Sequence, residues 1–235
     1  MTVLLIGLAG FLAGPLFHGL AVQAGSDREF HFGLTCPRCG QDGNAFSYRC
    51  SCGRARWREI AVGVGVGIAY AGMAWKVGMQ PVLVAYLVMV AVTAVLIVTD
   101  LDHFRIPNRI LYPGTAISFV LLVIGFAIEP GLGSLVRAVV GGAIYFGLLL
   151  LVFMAARGEG FGFGDVKLAA LLGLFTAFEA YRILAWSLII TALLGAVPAV
   201  VLLFMGKGRK AALPYGPPLV LGAWAAIIFS TSLLT

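Results

Sequence analysis

Four of the ten carboxylates in this 235-residue chain stand where a carboxylate is least expected. Asp100 and Asp102 close an apolar run in Val98-Thr99-Asp100-Leu101-Asp102-His103-Phe104-Arg105-Ile106-Pro107-Asn108. Glu159 and Asp165 precede another in Gly158-Glu159-Gly160-Phe161-Gly162-Phe163-Gly164-Asp165-Val166-Lys167. An ionisable residue at the margin of a long apolar segment is costly to place, and is a functional candidate for that reason. If the helix bearing Val98 continues, Asp100 and Asp102 lie about 200° apart around its axis, so only one of them can meet Asp165. Two carboxylates brought together share one proton, because like charges at close range cannot both stay ionised. The ionised member can take a proton from water as the water attacks a peptide carbonyl, while the protonated member polarises that carbonyl. Gly162 and Gly164 remove side chains and let an extended substrate backbone come close. The bland alternative is that Asp100 and Asp165 cap helices, or pair with Arg105 and Lys167.

The elements that must carry these residues are membrane spans. Hydrophobic residues make up 61% of the chain, charged residues only 11%, and the mean hydropathy is +1.02. A soluble domain carries about 25% charged residues, so a soluble enzyme is excluded, as is a disordered chain. A span needs about 20 mostly apolar residues. Apolar runs cover residues 3–22, 60–75, 82–99, 110–128, 133–155, 166–178, 183–205 and 214–233. This predicts an all-α integral membrane protein of eight transmembrane helices. The first run starts at Met1 with no basic segment before it, and reads as a span and not as a cleavable signal peptide. Three regions follow: a first helix over 1–22, a polar cysteine-containing loop domain over 23–59, and seven helices over 60–235. Of the 16 Lys and Arg residues, the loops on one side hold only Lys76, Arg137 and Arg182. The other 13 (16 less 3) lie on the side of the four carboxylates, which should therefore be cytoplasmic. The net charge of +6 thus belongs to membrane topology, and no nucleic-acid partner is expected, only lipid. Trp75, Tyr112, Tyr181, Trp186 and Tyr215 fall near span ends, where interfacial anchoring accounts for them. Gly63, Gly65, Gly67, Gly141, Gly142 and Gly147 would let helices approach closely.

All four cysteines lie in the polar loop, in Cys36-Pro37-Arg38-Cys39-Gly40 and Cys50-Ser51-Cys52-Gly53. A thiolate pair followed by Gly forms a tight knuckle around tetrahedral Zn²⁺, and two such pairs supply four thiolates. On the cytoplasmic side disulfides are disfavoured, which favours a metal over a cystine. Reduced thiols without metal are the alternative, and His31 is a substitute ligand. A closed four-ligand shell would be structural, with no open position for substrate.

Taken together, the two acidic segments resemble those of the type IV prepilin peptidases, the GxGD membrane aspartyl proteases. Asp100, Ile106, Pro107 and Asn108 match the first motif of that family, an aspartate six residues before Ile/Leu-Pro and then Asp or Asn. Gly162, Gly164, Asp165 and Lys167 match the second, Gly-x-Gly-Asp-x-Lys. The resemblance implies cleavage of the short basic leader of prepilins or pseudopilins, after a Gly, at the cytoplasmic face of the bacterial inner membrane. Asp100 and Asp165 would be the catalytic pair, with Asp102, Gly162, Gly164 and Lys167 in support. Many members also methylate the new amino terminus using S-adenosylmethionine, an activity associated with the loop after the first span. In that region the chain departs from the family pattern. Its second cysteine pair is Cys-x-Cys, and Gly14-Pro15-Leu16-Phe17-His18-Gly19-Leu20 lacks the family's Asn. The resemblance therefore carries the protease further than the methyltransferase.

Two readings from other classes compete. A proton-coupled transporter would put acids near the bilayer midplane and build paired inverted repeats, whereas both aspartates sit at span ends and the halves show no repeat. A non-catalytic scaffold of a pilus or secretion assembly would tolerate loss of both aspartates, against which the double motif argues.

Overall fold

The computed structural model describes residues 1–24, 34–35, 42–43, 56–131, 133–156, 162–204 and 214–230. Among these are eight helices: α1 (Thr2–Ala24), α2 (Arg56–Val77), α3 (Leu83–His103), α4 (Asn108–Ile128), α5 (Leu135–Ala155), α6 (Phe163–Glu179), α7 (Tyr181–Phe204) and α8 (Gly216–Ile228). Between α1 and α2, two-residue strands β1 (Leu34–Thr35) and β2 (Asp42–Gly43) pair antiparallel, Leu34 opposite Gly43. The all-helical expectation holds for everything else described. Five helices, α1 to α5, are long and apolar enough to cross a bilayer. The cysteines at 36, 39, 50 and 52 and Glu159 lie outside the described residues.

The helix boundaries differ from the apolar runs at the polar ends, where hydropathy falls before the helix does. α2 begins at Arg56 and α3 runs on past Val98 to His103, so both Asp100 and Asp102 are helical. α6 starts at Phe163, which places Asp165 inside its first turn and not ahead of it. Backbone hydrogen bonding continues for as long as its donors and acceptors can pair, whatever the polarity of the side chains. α3 stops at Phe104, whose backbone is left-handed (φ 52°) and whose N–H reaches back to the Asp100 carbonyl at 2.9 Å.

α3 is the central helix. Of its most apolar window 67% is buried inside the protein, against 22–39% for α1, α2, α4 and α5, whose outer faces are left for lipid. Tyr86 of α3 meets Phe175 of α6 edge to face, with ring centroids 5.1 Å apart. Trp224 of α8 donates its indole N–H to Thr93 of α3 at 3.2 Å. Inter-helical hydrogen bonds of this kind hold spans together where no hydrophobic force acts between them. At the end of the bundle away from the aspartates, Lys76 of α2 pairs with Glu179 of α6 at 3.1 Å.

The expected close approaches are made at some of the glycines. A Cβ on Gly141 would stand 2.0 Å from the Cβ of Ala177, and one on Gly63 2.8 Å from the Phe11 carbonyl oxygen. Gly65 and Gly147 instead face open space, so they have no such role.

Candidate active site

The carboxyl-terminal end of α3, the amino termini of α4, α6 and α8, and the turn over Arg105–Pro107 converge at one end of the bundle. Asp100 and Asp165 are both buried there, each 4% exposed, and lie close enough to interact electrostatically. Each carboxylate is held by a backbone N–H at a helix start. Gly216 N–H, at the first residue of α8, donates to Asp100 Oδ2 at 2.9 Å. Gly162 N–H, ahead of α6, donates to Asp165 Oδ2 at 3.0 Å. Free N–H groups and the positive end of the helix dipole favour a carboxylate at such positions. Asp165 therefore does cap its helix, as the bland alternative has it, but only through one oxygen. Its Oδ1 is buried and accepts no hydrogen bond from any described residue.

The two sequence motifs touch at further points. A Cβ on Gly164 would meet the Ile106 Cβ at 2.9 Å, so the Ile of the first motif packs against the second glycine of the other. Lys167 Nζ donates to Asn108 Oδ1 at 3.1 Å and sits over the rings of Tyr112 and Phe163, 5.2 and 5.1 Å from their centroids. Lys167 thus ties α6 to α4 and is not ion-paired with Asp165. Asp102, two residues on from Asp100, faces α2 and pairs with Arg58. The helical arithmetic is met: one aspartate faces the site, the other faces away from it.

Two contributors were missed in the sequence. Gly216 was read only as part of a span start, and Tyr215 only as an interfacial aromatic. Tyr215 instead lies within electrostatic reach of Asp165 and of Tyr145, its ring against Gly195 of α7. Tyr145 in turn shares hydrogen bonds with Ser187 at 3.4 Å and Thr191 at 3.3 Å. The run Pro214-Tyr215-Gly216-Pro217-Pro218 signalled a helix start and nothing more, because no local pattern connects it to an aspartate 116 residues earlier.

A helical membrane bundle with two buried carboxylates in electrostatic reach of each other at one end defines the class: a polytopic protein built around an acidic pair. The chain belongs to the type IV leader peptidase family, whose description matches residues 87–204 and so takes in α4, α5, α6 and both motifs. Three similar proteins are each named prepilin leader peptidase/N-methyltransferase. That of Pseudomonas putida is 28% identical over 67% of this chain and 54% of its own length. That of Stutzerimonas stutzeri is 27% identical over 67% and 52%, and that of Pseudomonas aeruginosa 25% over 83% and 70%. The chain spans about half the length of the first two. No solved structure matches it. Its apolar helices and its relatives make it a bacterial integral membrane protein.

Proposed function

We propose that this protein is a membrane aspartyl endopeptidase that removes the basic leader from type IV prepilins or pseudopilins. One observation carries the reading: two buried carboxylates from different helices, close enough to interact electrostatically, each accepting a backbone N–H through one oxygen. Asp100 and Asp165 are its catalytic pair. They hold one proton between them, since two charges cannot persist in so buried a site. The ionised carboxylate takes a proton from water as the water oxygen bonds to the scissile carbonyl carbon. The protonated one donates to the carbonyl oxygen, which becomes a hydroxyl in the tetrahedral intermediate. Collapse breaks the C–N bond, sends a proton to the leaving amine and restores the pair to one proton. Asp165 Oδ1 is the oxygen suited to contact water or substrate, because no donor among the described residues occupies it.

The site faces the cytoplasm of the inner membrane in this reading, and all eight helices span. Support comes from the 13 basic residues on the side of the aspartates. The donor set Cys36, Cys39, Cys50 and Cys52 fits a structural Zn²⁺, which would order the loop after α1 and take no part in peptide cleavage. Among the described residues no group of three or more His, Cys, Asp and Glu could hold a metal ion. Methyl transfer from S-adenosylmethionine remains tied to that loop. The similar proteins carry it in their names, and this chain departs there from the family pattern.

Co-expression with a prepilin, scored by the mass of the product, tests the peptidase. Leader removal by the wild-type chain and its loss in Asp100→Asn and Asp165→Asn is the expected result. An uncut prepilin in the presence of correctly inserted wild-type protein would overturn the reading.

A further inference from the structure

Gly216 stands apart from the other glycines at close contacts because of what it touches. The three atoms nearest to a Cβ built on it all belong to one side chain: Asp100 Oδ2 at 2.8 Å, Cγ at 3.2 Å and Cβ at 3.4 Å. No backbone of a neighbouring helix intervenes. The same residue sends its N–H to Asp100 Oδ2 at 2.9 Å and is itself buried. It is also the first residue of α8, whose following residues Pro217 and Pro218 offer no N–H. The donors normally left free at a helix start are here reduced to those of Gly216 and of residues beyond the prolines. The start of α8 therefore presents a donor with no side chain beside it, aimed at one oxygen of one carboxylate.

We propose that Gly216 is a positioning residue of the peptidase: its bare Cα makes the room, and its N–H the anchor, that set Asp100 opposite Asp165. The inference rests on the peptidase reading for its activity arm, but not for its stability arm. With Oδ2 held, Asp100 keeps one orientation and leaves Oδ1 for proton transfer. α8 lies beyond the stretch matched to the family, yet it supplies this contact across 116 residues of sequence.

Gly216→Ala is the test, with Gly65→Ala as the control, since a Cβ on Gly65 meets nothing within 4 Å. A Cβ 2.8 Å from Oδ2 must push the carboxylate off its anchor, and small misplacements of a reacting group are severe. Gly216→Ala should lower kcat on detergent-solubilised prepilin roughly a hundredfold with KM nearly unchanged, whereas Gly65→Ala should match wild type. A readout independent of catalysis comes from a double-mutant cycle. Any fall in Tm caused by Gly216→Ala should vanish in an Asp100→Ala background, where the atoms it crowds are gone. If Gly216→Ala cleaves like wild type, or costs as much Tm without the Asp100 carboxylate as with it, the positioning role is wrong. A wild-type chain that cleaves no prepilin would instead overturn the peptidase reading, and the Tm cycle would still decide the contact.

Discussion

Asp100 and Asp102 are two residues apart and do different work. Burial and the Gly216 N–H put Asp100 at the site, whereas Asp102 is given to Arg58 of α2. In the proposed mechanism, replacing either carboxylate by its amide removes an acid–base group, worth about 10²–10⁴-fold in rate. Asp100→Asn and Asp165→Asn should each therefore abolish detectable leader removal while the protein still inserts. Asp102→Asn should keep most of the activity. It gives up an ion pair whose side chains are 42% and 20% exposed, worth about 1 kcal/mol or less. A dead Asp102→Asn beside an active Asp100→Asn would reverse the assignment. The choice of Asp100 over Asp102 came from its match to the family motif. That only one of the two could reach the site was legible from the helical repeat, since residues two apart cannot share a face. The anchor for Asp100 was not, because a backbone N–H carries no side-chain signature and a contact between α3 and α8 leaves no trace in local spacing.

The helices that carry the pair were legible as apolar runs, and their ends were not. Hydropathy marks where lipid contact stops, while the helix continues until its hydrogen bonds do. That difference moved Asp165 into α6 and both Asp100 and Asp102 into α3. What sets the distance between α6 and its neighbour is the crossing at Gly141 and Gly173. A Cβ on Gly173 would stand 2.5 Å from the Gly141 carbonyl oxygen, and one on Gly141 2.0 Å from the Ala177 Cβ. Helix backbones cannot yield as a flexible side chain can, so Gly141→Ala must push α5 and α6 apart. Overpacking of this sort costs about 1–3 kcal/mol. Thermal unfolding in detergent should show Gly141→Ala clearly less stable than wild type, with Gly147→Ala unchanged, because nothing lies within 4 Å of a Cβ there. Equal stability of the two variants would mean that the α5–α6 contact is not the constraint described.

Across the whole molecule, the charge that sets topology poses a problem for the proposed substrate. In the proposed topology 13 of the 16 Lys and Arg share the side of the site, so Coulomb attraction from the loops would not draw a basic leader toward it. Eight of the ten acids share that side in the same topology, four of them in the loop over 23–59, so its balance stays positive. Asp100 and Asp165 are buried in the pair, and Asp102 is matched by Arg58, which leaves Glu159 as the nearby acid in sequence that the structure does not assign. An exposed ion pair made by one such acid contributes about 1 kcal/mol or less. Burial of apolar surface is larger by far, at about 0.8 kcal/mol for each methylene removed from water. The apolar stem of a prepilin, partitioned into the bilayer beside the bundle, should therefore supply most of the binding and hold the leader at the depth of the two aspartates. A soluble leader peptide without the stem should show a kcat/KM at least about 100-fold below that of the full prepilin, mostly through KM. Glu159→Gln should raise KM only modestly, and more at low salt than at high. Equal cleavage of the stemless peptide would place recognition in the polar loops, and the bilayer would then be a scaffold for the protease without taking part in substrate capture.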